Sequence, residues 1–256
     1  MNRTLYKKIK SVYKGIKKIF NFFGFEITLK SSPVRSFAGF FDLIKSKGFQ
    51  PGTVFDVGVG NGTNEIYESF PRVQHVLVEP LEEFEEVIEG LKKKYNALYF
   101  KAAAGKEEGS ISIACGNASQ KSSIVKKIIR DSNQVETREV PLTTIDNICS
   151  ENNFKTPFII KVDVEGAELL VMEGARKALE DTEIVILEIA IWDRFGEVPE
   201  LHEVVTKMKK YGFVVFDIVG LADMYRNRGI LGYSDIVFVN EKGFFRDGKI
   251  LSSCES

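Results

Sequence analysis

From about Ser36 onward, short β-branched runs alternate with helix-like segments, and that alternation restricts the chain to an α/β domain with a largely parallel sheet. The runs predict strands at residues 53–57, 75–79, 98–103, 158–164, 183–191, 213–219 and 235–239, with helices between them. Phe37, Phe40, Phe41 and Ile44 have helical spacing and stop at Gly48. Residues 81–95 carry acids first and lysines last, as the helix macrodipole favours. A third helix beginning near Glu165 would place Ala167, Leu170, Val171, Gly174 and Ala178 on one face. Residues 109–141 break the pattern. They are polar and Ser-rich, with two extra strands at 110–115 and 135–140, and read as an insertion over one sheet edge within a domain spanning 33–247. Residues 248–256 read as a loose tail.

Composition removes several classes. With 44% hydrophobic residues the chain can bury a sizeable core, which excludes disorder for most of its length. No apolar run approaches a membrane span and no leader pattern is visible, so a cytosolic protein is expected. Cys115, Cys149 and Cys254 are odd in number and widely separated, which predicts reduced thiols and neither a disulfide framework nor a zinc site. A net charge of −1 argues against nucleic acid as a partner. That charge is unevenly spread. Residues 1–32 hold eight basic residues and one acid, a net of +7, leaving −8 for the rest. Within this arm Leu5, Ile9, Val12, Ile16, Ile19 and Phe23 form one helical stripe among lysines. Three readings of residues 1–25 stay open: packing on the domain or a second copy, peripheral contact with an anionic membrane at its inner face, and a solvated extension.

The first chemical feature is Val57-Gly58-Val59-Gly60-Asn61-Gly62, a strand end running into three alternate glycines. Glycine permits a tight turn and a close approach of backbone to ligand. The spacing fails G-x-G-x-x-G in either register, because the third position falls on Thr63 or Glu65. Asp56 would repel a pyrophosphate and suit a ligand with a cationic end, such as S-adenosylmethionine. Glu79 ends the next strand seventeen residues after Gly62, where a carboxylate can accept both hydroxyls of a ribose. Ala102, Ala103, Ala104 and Gly105 then offer small side chains beside an adenine. These residues make Asp56, Gly58, Gly60, Asn61, Gly62, Glu79, Ala103 and Asp163 the candidate cofactor contacts.

The second feature is Lys161-Val162-Asp163-Val164-Glu165-Gly166-Ala167-Glu168. A central parallel strand is ordinarily apolar on both faces, yet alternation would put Lys161, Asp163 and Glu165 on one side. Glu188 is a further acid inside an apolar strand, and Lys161 could pair with it if the two strands are neighbours. A structural ion-pair network is the competing reading.

These two runs, with Val78-Glu79-Pro80, Ala103-Ala104-Gly105-Lys106-Glu107-Glu108-Gly109 and Val140-Pro141-Leu142-Thr143-Thr144-Ile145-Asp146, resemble the FkbM family of S-adenosylmethionine-dependent methyltransferases. The segments Trp192-Asp193-Arg194-Phe195-Gly196-Glu197-Val198-Pro199 and Tyr211-Gly212-Phe213 resemble one branch of it, and the likeness covers about residues 50–240. The resemblance implies a class I methyltransferase fold, a Rossmann-like seven-stranded sheet with helices on both faces and its last strand antiparallel. It also implies O-methylation of a small-molecule or glycan acceptor.

Only two histidines occur, His75 entering a strand and His202 on a surface helix, so carboxylates are the better candidate bases. Asp163 and Glu165 are assigned as base or acceptor-orienting groups, with Lys161 and Glu188 as electrostatic partners. No residue is assigned as a dedicated metal ligand, although acids at neighbouring strand ends could hold a divalent cation. Asn117, Ser119, Ser122, Ser123, Trp192, Asp193, Arg194 and Tyr225 are the candidate acceptor pocket. An NAD-dependent dehydrogenase and a non-catalytic scaffold are the competing functions.

Overall fold

A computed structural model describes residues 36–115, 136–191, 198–223 and 231–246. The N-terminal arm, the tail and all eight candidate acceptor-pocket residues lie outside the described residues.

Helix α1 (Phe37–Ser46) begins where the Ser36 hydroxyl accepts the Gly39 N–H at 3.2 Å, buries Phe40, Phe41 and Ile44, and stops before Gly48 at φ 85°. Then follow β1 (Thr53–Val57), α2 (Asn64–Ser69), β2 (Gln74–Val78), a 3-10 turn (Glu82–Phe84), α3 (Glu85–Lys94) and β3 (Ala97–Phe100). Next come β4 (Ala103–Ala104), β5 (Gly109–Cys115), β6 (Glu136–Thr143), α4 (Ile145–Glu151), β7 (Phe158–Val162) and α5 (Glu168–Glu173). The last elements are β8 (Thr182–Ala190), α6 (Leu201–Lys210), β9 (Phe213–Asp223) and β10 (Leu231–Asn240).

Seven strands form one sheet in the order β3-β2-β1-β7-β8-β10-β9. The first five run parallel, and β10 is antiparallel to both β8 and β9. This is the class I methyltransferase arrangement expected from the sequence. Both faces are covered because each central strand is apolar on both. Val54, Ile159 and Ile186 pack with α1, α2 and α3, while Phe55, Ile160 and Val185 pack with α4, α5 and α6. The strand order reverses between β1 and β7, so the carboxyl ends of these two strands open a crevice suited to a ligand.

The two extra strands of the insertion exist, and with β4 they form a second sheet, β4-β6-β5. Three expectations need correction. The run at 98–103 is two strands, because β4 leaves the main sheet to pair with β6. The run at 158–164 ends at Val162, and Glu165 has the left-handed φ of 55°, so pleat alternation does not carry through to it. The third helix is only Glu168–Glu173, and Leu170 is 42% exposed where a sheet-facing position was expected.

Candidate active site

The glycine turn leaves β1 with three positive φ values, 78° at Gly58, 50° at Gly60 and 82° at Gly62. Gly58 has a second constraint, since a Cβ there would lie 1.9 Å from the Asp163 carbonyl oxygen. The turns after β1 and β7 therefore touch through backbone, and the Asp163 N–H donates to the Val57 carbonyl at 2.9 Å. Glu79 fastens the other side. Its Oε2 accepts the Gly60 N–H and its Oε1 the Leu81 N–H, both at 3.0 Å. Burial pushes the Glu79 carboxyl up against the pull of those two amides. Each oxygen keeps a lone pair for a ligand hydroxyl.

Beside this turn lies a cavity of about 360 Å³. Of the candidates, Gly58, Gly60, Asn61, Gly62, Glu79, Ala103, Lys161, Asp163, Glu165 and Glu188 all line it. Ala102, Ala104, Phe84 and Ile113 add apolar walls. Phe84 comes from the 3-10 turn after β2, and Ile113 from β5, whose pairing with β6 is a contact between distant segments that local sequence pattern does not mark. A glycine-lined cavity with one apolar wall and a carboxylate at its far strand end fits S-adenosylmethionine, whose adenine, ribose and cationic end need those three environments.

Asp56 has a different place from the one expected. Its register on β1 is opposite Lys161 on β7, on the sheet face covered by α1, α2 and α3. It is fully buried and does not line the cavity. One oxygen accepts a hydrogen bond from the Tyr67 hydroxyl of α2, and the other lies 3.8 Å from Lys161 Nζ. Burial raises its proton affinity more than Lys161 lowers it. Asp56 thus supports the floor of the cavity from below.

Lys161 is the cation of this region. Its Nζ is 3.2 Å from Asp163 Oδ2, and only 3% of the residue is exposed. Burial opposes the ammonium, yet Asp163, Asp56 and Asp235 more than offset it and hold the lysine charged. Strands β7 and β8 are neighbours, as the sequence required for Glu188 to join the group. Carboxylate oxygens of Asp163, Glu165 and Glu188 lie within 4.8 Å of one another, a spread that a hard divalent cation with oxygen ligands at about 2.1–2.5 Å could bridge.

Two acids of the region were not assigned from sequence. Asp235 pairs in register with Glu188 across β10 and β8, so both emerge on one face, and burial pushes its carboxyl up to about 7. The signal was the one that marked Glu188, an acid in an apolar strand. Glu168 is 6% exposed, with its carboxyl pushed up to about 7 by burial. The histidines stand apart. His75 is buried against Tyr67 and Tyr95, with Nε2 3.0 Å from the Phe70 carbonyl, and His202 is exposed on α6. Two other motif residues serve the scaffold: the Asp146 carboxylate accepts the Lys177 and Ala178 N–H groups, and Thr144 caps α4 through the Asn147 N–H.

Residues 56–215 match the family model described as Methyltransferase FkbM domain. No curated protein matches the chain. Among solved structures, an S-adenosylmethionine-dependent methyltransferase from Clostridium acetobutylicum is 8% identical, covering 92% of this chain and 99% of its own, with a TM-score of 0.43. Magnesium protoporphyrin IX methyltransferase from Synechocystis is 10% identical over 80% of this chain and 77% of its own, with a TM-score of 0.44. The N-methyltransferase NodS from Bradyrhizobium japonicum is 8% identical over 84% and 100%, also at 0.44.

Proposed function

The chain belongs to the FkbM methyltransferase family and is an S-adenosylmethionine-dependent methyltransferase; from that premise we propose that it methylates a hydroxyl of a sugar in a polysaccharide, glycolipid or glycosylated metabolite. Membership agrees with the glycine spacing, which already disfavoured the dehydrogenase reading. When bound, S-adenosylmethionine supplies a methyl group activated by its sulfonium. The chain's own residues do the rest. Glu79 would accept the ribose hydroxyls, the glycine turn would let backbone approach the ligand, and Phe84 and Ile113, which line the same cavity, would flank the adenine.

The observation that carries the hydroxyl reading is the convergence of Asp163, Glu165 and Glu188 on one side of the glycine-lined cavity, with both histidines elsewhere. The acceptor oxygen would bond to the methyl carbon as the carbon–sulfur bond breaks and its electron pair stays on sulfur, and Asp163 or Glu165 would take the proton that the acceptor hydroxyl gives up. Lys161 holds Asp163 in place through their ion pair. An acid-lined cavity also favours a neutral polyol over a phosphorylated acceptor, because hydroxyls donate to carboxylates without adding an anion. The same cluster favours a second reading in which a divalent cation lowers the hydroxyl pKa.

Incubation with S-adenosylmethionine and candidate glycans, followed by mass detection of a methyl gain, tests both readings. Asp163→Asn and Glu165→Gln are each expected to lower transfer by about a hundredfold. Full turnover by both variants would sink the base assignment, and activity that persists in EDTA removes the cation.

A further inference from the structure

Glu165 is the only non-glycine residue with a positive φ among the described residues, and it sits between two amides that end on one atom. The Val164 N–H donates to Glu168 Oε1 at 3.2 Å and the Gly166 N–H donates to the same oxygen at 3.0 Å. The backbone on both sides of Glu165 is therefore pinned by a single carboxylate oxygen from the first residue of α5. We propose that Glu168 is a positioning residue for methyl transfer: by holding the Val164 and Gly166 amides, it fixes Glu165 in the left-handed conformation that presents its carboxylate to Asp163 and Glu188. This inference rests on the proposed role of Glu165.

Three features support the assignment. Glu168 is buried, so the two amide bonds are shielded from competing water. Gly166 follows at φ 105°, so two consecutive residues in this turn have positive φ, and β7 has already ended at Val162. The other end of the turn is fixed as well, through the Asp163 N–H bond to Val57. What remains adjustable is the peptide pair around Glu165, which is the pair Glu168 holds. Because both amides use Oε1, an uncharged acceptor of the same shape should serve, so the role belongs to the oxygen and not to the charge.

The test uses the full chain, isotopically labelled, with Glu168→Gln, which keeps Oε1, and Glu168→Met, which keeps length and apolar fit without an acceptor. Hydrogen exchange at the Val164 and Gly166 amides is read by NMR, S-adenosylhomocysteine affinity by calorimetry, and methyl transfer on the glycan mixture by mass. In Glu168→Met the two amides should exchange at least about tenfold faster. Transfer should fall by roughly tenfold or more, with a melting temperature lower by about 3–8 °C as two buried amides lose their acceptor and with S-adenosylhomocysteine affinity within about threefold. Glu168→Gln should restore both amide protection and transfer. Protected amides in Glu168→Met, or failure of Glu168→Gln to restore them, overturns the brace. Released amides with undiminished transfer overturn the positioning role. Absence of transfer by the wild-type chain on any glycan counts against the sugar acceptor alone, since amide exchange still reports on the brace.

Discussion

The turn after β1 and the turn after β7 meet at the Gly58–Asp163 contact, yet they reach unusual backbone conformations by opposite means. The β1 turn puts all three of its positive φ values on glycine, so its shape costs little once formed. The β7 turn has to present a carboxylate at the bend, and a left-handed non-glycine residue costs on the order of 1 kcal/mol. It keeps that conformation because Glu168 supplies two buried hydrogen bonds across it. A turn that only makes room can be built from residues without side chains. One that must deliver a functional group needs a second side chain to hold the first, and so it carries titratable groups that the glycine turn lacks.

The sharpest way to break this pairing is Gly58→Ala. The new methyl would overlap the Asp163 carbonyl in a left-handed backbone, and loss of more than about 3 kcal/mol of stability, with loss of S-adenosylhomocysteine binding, is expected in denaturant melts and calorimetry. A variant that melts like wild type would mean the two turns can part without cost.

A smaller effect should separate the turns by pH. Glu168 in the fold has its carboxyl at about 7, above the ordinary value of 4.5, so the native state binds the proton more tightly than the unfolded chain. The associated stability is full below about 4.5 and is lost as pH rises through about 7, by an amount on the order of 3 kcal/mol. Between pH 5 and pH 8 the wild-type melting temperature should therefore fall by roughly 5 °C more than that of Glu168→Gln. Parallel pH curves for the two proteins would contradict a buried, proton-binding Glu168.

The smallest effects come from exchanging the two strategies. Glu165→Gly relieves the left-handed strain and should leave stability unchanged or raise it by about 0.5–1 kcal/mol while transfer falls. Gly60→Ala, where a Cβ meets nothing within 4 Å but φ is 50°, should cost about 1 kcal/mol of stability. Denaturant unfolding of both variants measures the pair, and the same sign in each would end the distinction.

Much of this was legible beforehand. Strand positions could be read because β-branched runs mark strands locally, and the spaced glycines with Glu79 marked a ligand-facing strand end. Ten of the eleven candidate cofactor and catalytic residues line one cavity. Asp56 is the exception. Whether its side chain rises into the crevice or turns under α2 depends on the parity of the pleat relative to helices distant in sequence, and on Tyr67 being there to bond it. Asp235 was passed over for a related reason: its pairing with Glu188 joins strands 47 residues apart, and local pattern carries no record of such a contact.

By itself the sequence determined the alternation of elements, the doubly covered parallel sheet and the residue types at the two strand ends, because periodicity and backbone freedom are local properties. The tertiary structure decided where β7 stops, that Glu165 turns left-handed, that Glu168 holds it, and which carboxylates share Lys161. Those outcomes depend on burial and on hydrogen bonds between segments, and a charge in a strand has no fixed meaning until its neighbours across the sheet are in place.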